Sequence, residues 1–294
     1  MADLMGKTVL LTGATNGIGL EAAVTLARMG AKLVMIGRDP KRTESAAADV
    51  KRRSGSEQVS WLLCDFASQA SIRRLADQFR AQHDRLDLLV DNAGGVHDRR
   101  TLTEDGIEAT FAVNHLGYFL LTNLLLDLLK KSAPARIVMT ASQAHRAATL
   151  DFDDLGFEKG YGILKAYNRS KLANVLFTRE LAERLKGSGV TVNCLHPGVV
   201  ATGIWSRAPW FVRPVLGVVA KLFFTSPKKA SETITYLAAS DEVANVTGGY
   251  FEHNREVKPS RLARDPQVAK RLWEVSERLT GLATAPATGN AASA

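Results

Sequence analysis

The chain has 294 residues, 46% of them hydrophobic, which is enough for a substantial core in one large α/β domain or two small ones. Lys and Arg outnumber Asp and Glu by 38 to 30, but the excess is scattered in short pairs such as Lys130-Lys131, a solvated surface rather than a nucleic-acid stripe. No apolar run approaches the ~18 residues that span a bilayer, and the opening MADLMGKTVLLTG carries no signal-peptide h-region, so the expectation is a cytoplasmic protein.

In chain order, β-branched or Leu-rich runs at 8–11, 32–36, 59–63, 86–90, 136–140, 190–195 and 249–251 predict strands. Segments long enough for a crossover helix separate most of them, the pattern of a parallel, doubly wound sheet of about seven strands. Their continuous apolar character fits strands covered on both faces. No repeat or linker interrupts 1–282, which reads as one domain, and the small polar tail 283–294 is expected to be disordered. Cys64 and Cys194 end apolar runs and read as inert core thiols.

The first strand runs into Thr12-Gly13-Ala14-Thr15-Asn16-Gly17-Ile18-Gly19 and then a helical stretch. Strand, glycine turn and helix together offer bare backbone N–H groups and a positive helix end, where a pyrophosphate sits. The second strand ends Met35-Ile36-Gly37-Arg38. An acid here would accept a ribose 2′-hydroxyl, whereas Arg suits a 2′-phosphate. The expectation is NADP(H) over NAD(H), with Arg38 as main contact, Lys41 or Arg42 as helpers, and Asp39 free to cap the helix beginning at Pro40. Asp65 after the third strand and Asp91-Asn92-Ala93-Gly94 after the fourth lie at strand C-termini, where such sheets bind ligands.

Two Tyr-x-x-x-Lys pairs follow, Tyr161 with Lys165 and Tyr167 with Lys171. A Tyr beside an ammonium is a candidate acid/base, and spacing by four places both on one helix face. Gly160 and Gly162 bracket Tyr161 and disfavour a helix there, while Leu172, Val175, Leu176 and Leu185 give Tyr167 an amphipathic one. Tyr167 and Lys171 are therefore the candidate pair. Ser142, just past the fifth strand, would hold a substrate oxygen, and Asn114 lies in a helix where a purely apolar role would be odd. His97, His115, His145, His196 and His253 show no metal spacing and read as structural, with His145 nearest the pocket wall. Ser226-Pro227 and Asp265-Pro266 start two later helices; the second places Val268, Leu272, Val275 and Leu279 on one face and stops at Gly281.

From Gly6 to about Leu282 the chain resembles the short-chain dehydrogenase/reductase family. Its Gly-x-x-x-Gly-x-Gly spacing is that family's turn; Asn92-Ala93-Gly94 match three positions of its Asn-Asn-Ala-Gly motif, with Asp91 in place of the first Asn. Residues 197–202, Pro-Gly-Val-Val-Ala-Thr, resemble its Pro-Gly-x-Val-x-Thr turn. The resemblance implies a Rossmann-type fold in which Gly13, Thr15, Asn16, Gly17, Ile18 and Gly19 cradle the cofactor. Asp65 would contact adenine; Asn92, Ala93, Gly94, Pro197 and Gly198 would line the site; Val200 and Thr202 would meet the carboxamide and phosphates. It further implies a tetrad: Asn114 holding a water for proton relay, Ser142 orienting the carbonyl, Tyr167 as acid/base, and Lys171 binding the nicotinamide ribose and tuning the Tyr.

The stretches IGRDPKR, VNHLGYFLLTNLLLDLL, ASQAH, AYNRSKLANVLFTRELAERL and LWEVSERLTGL resemble the retinol dehydrogenase-like branch, as does the long interval from Ser142 to Tyr167. That likeness implies an NADP(H)-linked oxidoreductase of a lipophilic aldehyde, ketone or alcohol, with steroid, quinone and fatty-aldehyde reductases as competing members. A reading from another class is an NADP(H)-binding sensor without turnover, against which the retained Ser, Tyr and Lys speak. The aromatic-rich region 203–224, with Trp205, Trp210, Phe211, Phe223 and Phe224, admits three readings: a substrate lid, a membrane-surface contact, or a helix pair packed on its own core or a partner. By analogy with the family, the helices carrying Asn114 and Tyr167 would form a homo-oligomer interface.

Overall fold

The structure is a computed structural model and describes residues 3–198 and 225–283. Val200, Thr202, the region 203–224 with its five aromatics, and the tail from 284 onward lie outside the described residues. Among the described residues eight strands, β1 Thr8–Thr12, β2 Lys32–Gly37, β3 Val59–Leu63, β4 Leu88–Asp91, β5 Ala135–Thr140, β6 Val190–His196, β7 Tyr250–Glu252 and β8 Arg255–Glu256, form one sheet. Their order is β3-β2-β1-β4-β5-β6-β7-β8, parallel throughout except for the antiparallel β7 and β8 pair. The seven expected strands are all present. β8 is a two-residue return after His253 and Asn254, both left-handed at φ 51 and 62, and is too short to leave a periodic signal.

Strand order reverses direction between β1 and β4, which opens a crevice outside their C-terminal ends. Successive β1 residues face opposite ways, so Leu10 enters one core with Phe79, Leu89, Phe119 and Leu176, while Val9 and Leu11 enter the other with Leu26, Met35 and Ile234. This is why the strand is apolar at every position. Helices α1 (Gly17–Arg28), α2 (Pro40–Ser54) and α3 (Gln69–Gln82) cross between the first four strands. A longer helical run follows β4: α4 (Ala109–Phe111), a π-helical turn (Ala112–Leu116), α5 (Gly117–Leu124) and α6 (Leu126–Lys131).

Helix α7 (Ile163–Arg184) is buried on two sides, against β6 and against the helix Pro266–Leu279. The expected helix starts hold: Ser226 accepts from the Lys229 N–H at 3.3 Å, and Asp265 from Gln267 and Val268 at 2.9 and 3.2 Å. The buried face of the last helix differs from the aliphatic stripe read in the sequence. Ala269, Leu272, Trp273 and Ser276 go inward, whereas Leu279 is 37% exposed. Trp273 turns the helix, because its indole packs on Phe119 and Phe177 with ring centroids 4.9 and 5.7 Å apart. Val275 and Leu279 instead edge a groove shared with Arg100, Phe111 and Phe152, which contains none of the expected site residues. Among the described residues no helix is long and apolar enough to cross a membrane.

Candidate active site

The turn after β1 is built so that side chains are excluded from its inner side. Gly13 and Gly17 are left-handed at φ 66 and 53. A Cβ on Gly19 would lie 2.2 Å from the Gly13 carbonyl oxygen, and one on Gly13 would lie 2.7 Å from the Cα of Ala93. Helix α1 is thus pressed onto the turn, and the turn onto the end of β4. Asn92 clamps the three together: its Nδ2 donates to the carbonyls of Thr12 and Gly13, both at 3.2 Å, and its Oδ1 accepts from Thr140 Oγ1 at 3.3 Å. The N–H groups of Asn92 and Ala93 both donate to Thr12 Oγ1, at 2.8 and 3.0 Å. On the outer side Gly17 has open space, and Asn16 makes no side-chain cap, so the first N–H groups of α1 face outward without a partner from their own cap.

The rim beside this turn selects against an acid. A Cβ on Gly37 would lie 2.1 Å from Thr43 Oγ1 and 2.6 Å from Thr15 Cγ2, so a carboxylate has no room there. Arg38, Lys41 and Arg42 are all exposed. Asp39 is turned away, its Oδ1 accepting from the Arg42 N–H at 2.8 Å as the cap of α2. Asp65 accepts from the Ala67 N–H at 2.9 Å, and Pro197 and Gly198 follow β6 directly.

The two Tyr pairs part at the start of α7. Gly162 caps the helix and Tyr161 lies outside it, its hydroxyl donating to the His97 carbonyl at 2.9 Å. Tyr167 and Lys171 sit one turn apart inside the helix, with Lys171 Nζ 5.7 Å from the centre of the Tyr167 ring. Lys171 is buried and donates to the Thr140 carbonyl at 2.9 Å; burial pushes its ammonium down to about 8. Burial raises the Tyr167 phenol above its ordinary value, and the neighbouring Ser142 hydroxyl partly offsets this. In the chain alone, then, desolvation dominates the phenol.

Asn114 occupies the π-helical turn, and both its amide nitrogen and its amide oxygen are engaged. Its Oδ1 accepts from the Gly95 N–H at 2.8 Å, and its Nδ2 donates to the Gly95 carbonyl and Ser170 Oγ at 2.9 and 3.1 Å. The side chain therefore fixes the Gly94-Gly95 loop, while its backbone carbonyl accepts from Asn174 Nδ2 at 2.9 Å. Asn174 also donates to the Thr140 carbonyl at 3.3 Å, which makes that carbonyl the shared anchor of Lys171 and Asn174.

Sequence reasoning passed over Thr12, Thr140 and Asn174. A signal existed for Asn174, which stands three residues past Lys171 and seven past Tyr167 on the same helix face. His145 is buried and structural: Nδ1 donates to the Ser142 carbonyl at 2.7 Å and Nε2 accepts from the Ser260 N–H at 3.1 Å, which fixes the neutral ring. His115 joins the π-helical turn to the last helix through Asn174 at 3.3 Å and Ser276 at 3.0 Å. Among the described residues no group of His, Cys, Asp or Glu is arranged to hold a metal ion.

Residues 7–209 match the family model described as short chain dehydrogenase. The chain is 46% identical over 286 residues to human retinol dehydrogenase 13, covering 96% of this chain and 86% of that protein. A solved structure of a protein from Mycobacterium paratuberculosis superposes with a TM-score of 0.79 at 32% identity over 96% of both chains. The structure titled Pseudomonas aeruginosa RhlG/NADP active-site complex superposes with a TM-score of 0.69 at 26% identity, covering 91% of this chain and 98% of that one.

Proposed function

The chain belongs to the short-chain dehydrogenase family, in its retinol dehydrogenase-like branch, and from that premise we propose that it is an NADP(H)-dependent oxidoreductase of a lipophilic aldehyde, ketone or alcohol. The observation that carries the cofactor half of this reading is the rim at Gly37: a carboxylate does not fit, Asp39 faces its own helix, and Arg38 is exposed beside the turn. The glycine cradle fits a dinucleotide, with the N–H groups at the start of α1 for its phosphates and Arg38 for a 2′-phosphate. When bound, the nicotinamide supplies or accepts a hydride.

The proton that accompanies the hydride is handled by the chain. Ser142 orients the substrate oxygen; the Tyr167 hydroxyl gives it a proton in reduction, and the Tyr167 phenolate takes one from the alcohol in oxidation. Lys171, held on the Thr140 carbonyl, keeps a positive charge near the phenol and stabilises the phenolate left behind. Asn114 fixes the Gly94-Gly95 loop and, through Asn174, the position of Lys171. The same reading places the protein in the cytoplasm as one domain over 1–282. A homo-oligomer through the helices carrying Asn114 and Tyr167 would include the helix Pro266–Leu279, which is seated on α5 and α7.

The test is NADPH oxidation by the purified protein against aromatic and medium-chain aldehydes, retinal, steroids and quinones. Turnover that rises with apolarity and needs NADPH is expected; tight NADPH binding with no turnover on any substrate would favour a silent sensor. Arg38→Ala should weaken NADPH by about 10-fold to 100-fold, the worth of a charged hydrogen bond, and leave NADH nearly unchanged. Equal losses would remove Arg38 from the 2′-phosphate.

A further inference from the structure

Beneath this site lies a carboxyl that the proposed chemistry does not use. Asp91 closes β4 and is wholly buried. Its Oδ2 accepts from Thr122 Oγ1 at 2.9 Å, and its Oδ1 has no hydrogen-bond partner among the described residues. The strand beside it brings Met139 and then Thr140, and β1 brings Thr12; none of these titrates. From α5 comes Tyr118, also wholly buried, with its hydroxyl unpartnered. From α7 come Tyr167 and Lys171, whose ammonium stands 5.9 Å from the Tyr118 ring centre and donates to Thr140 rather than to Asp91. Asp91 thus has one neutral hydrogen bond, no ion pair among the described residues, and no water-facing side.

A carboxylate cannot be held on such terms, because desolvation of a charge without a partner costs far more than one hydroxyl bond returns. A protonated acid can, since it is nearly the shape of the asparagine amide that the family motif carries at this position. We propose that Asp91 is a neutral carboxylic acid in the folded protein, a positioning residue beneath the site, and that losing its proton sets the alkaline limit of that site. Burial raises this carboxyl to about 8, in keeping with the geometry. Its position explains the reach of the effect. Asp91 precedes Asn92, the clamp on the glycine turn, and pairs with Met139 beside the Thr140 anchor of Lys171. The part concerning the site rests on the oxidoreductase reading; the part concerning the proton does not.

The sign follows from linkage. The unfolded chain sheds this proton near the ordinary carboxylate value, about 4, while the folded chain keeps it to about 8, so Asp91 costs stability increasingly as pH rises through that window and no further above it. Asp91→Asn removes the dependence. The ratio of the two proteins' unfolding constants, from denaturant titrations, should change about tenfold per pH unit between about 4 and about 8. Parallel curves would overturn the proposal. In the unaltered protein, NMR of carbon-13-labelled aspartate carboxyls should show one that titrates near 8; if all finish by about pH 5, Asp91 is ionised and the idea fails. Lys171 loses its proton near the same pH in both proteins, so above about pH 8 NADPH affinity should fall more steeply in the unaltered protein than in Asp91→Asn. Affinity that falls alike in both would overturn the alkaline limit. If NADPH binds but no substrate turns over, the oxidoreductase reading fails, and the NMR and denaturant results still decide the state of Asp91.

Discussion

Tyr161 with Lys165 and Tyr167 with Lys171 have the same spacing and lie within one short stretch, yet they occupy different physical worlds. The first pair straddles the start of α7. Tyr161 is outside the helix with its hydroxyl spent on the His97 carbonyl, and Lys165 is exposed. The second pair is inside the helix, and its lysine is 4% exposed, anchored on Thr140, with its charge strained by burial. Spacing offers a pair, the helix start decides which pair shares a face, and burial takes the ionisable groups of that face out of water. An ammonium in water is screened; one held under a phenol in a dry site is not.

The contrast can be broken most sharply at the phenols. Tyr167→Phe should lower turnover by roughly 10²-fold to 10⁴-fold, the scale of a lost acid/base group, and leave NADPH binding intact. Should Tyr161→Phe be the inactive variant instead, the assignment reverses. Lys171→Met should cost at least about tenfold in turnover, whereas Lys165→Met, at an exposed position, should change stability by less than about 0.5 kcal/mol and turnover not at all.

Lys171 also predicts a pH signature. Its folded value, about 8, lies below the ordinary 10.5, so the folded chain releases this proton first. The cost of burying the charge is full below about 8 and disappears as pH rises toward 10.5. Denaturant titrations should therefore show the unaltered protein gaining on Lys171→Met across that window; a constant gap would mean the ammonium is not desolvated. The smallest effect belongs to the first pair. Tyr161→Phe should cost about 1 kcal/mol of stability, the net worth of its bond to His97, with turnover unchanged.

What the sequence disclosed and what it hid divide along the same line. The seven main strands, the helix starts at Pro40, Pro227 and Pro266, and the glycine turn are written in local pattern and in the residue types that cap and turn a chain. Tyr167 and Lys171 were legible because helical spacing is local too. The engagement of the Asn114 amide was not, since it depends on a π-helical turn whose extra residue breaks the 3.6-residue period. The Thr140 anchor was invisible for a simpler reason: a backbone carbonyl has no residue-type signature. The inward face of the last helix was misread because counting aliphatic residues gave no weight to one indole. Trp273 buries more surface than any of them.

That indole has a consequence for how the protein is made. Tyr167 leaves the ribosome first, and Trp273 and Ser276, which fill the space behind α7 and the π-helical turn, come about a hundred residues later. During synthesis the helix that carries the candidate acid/base has an apolar flank at Phe119 and Phe177 that stays uncovered until the helix Pro266–Leu279 arrives. Maturation of the site is therefore a terminal event. A stalled chain that already contains Ser142, Tyr167 and Lys171 would still expose the apolar surface that Trp273 covers.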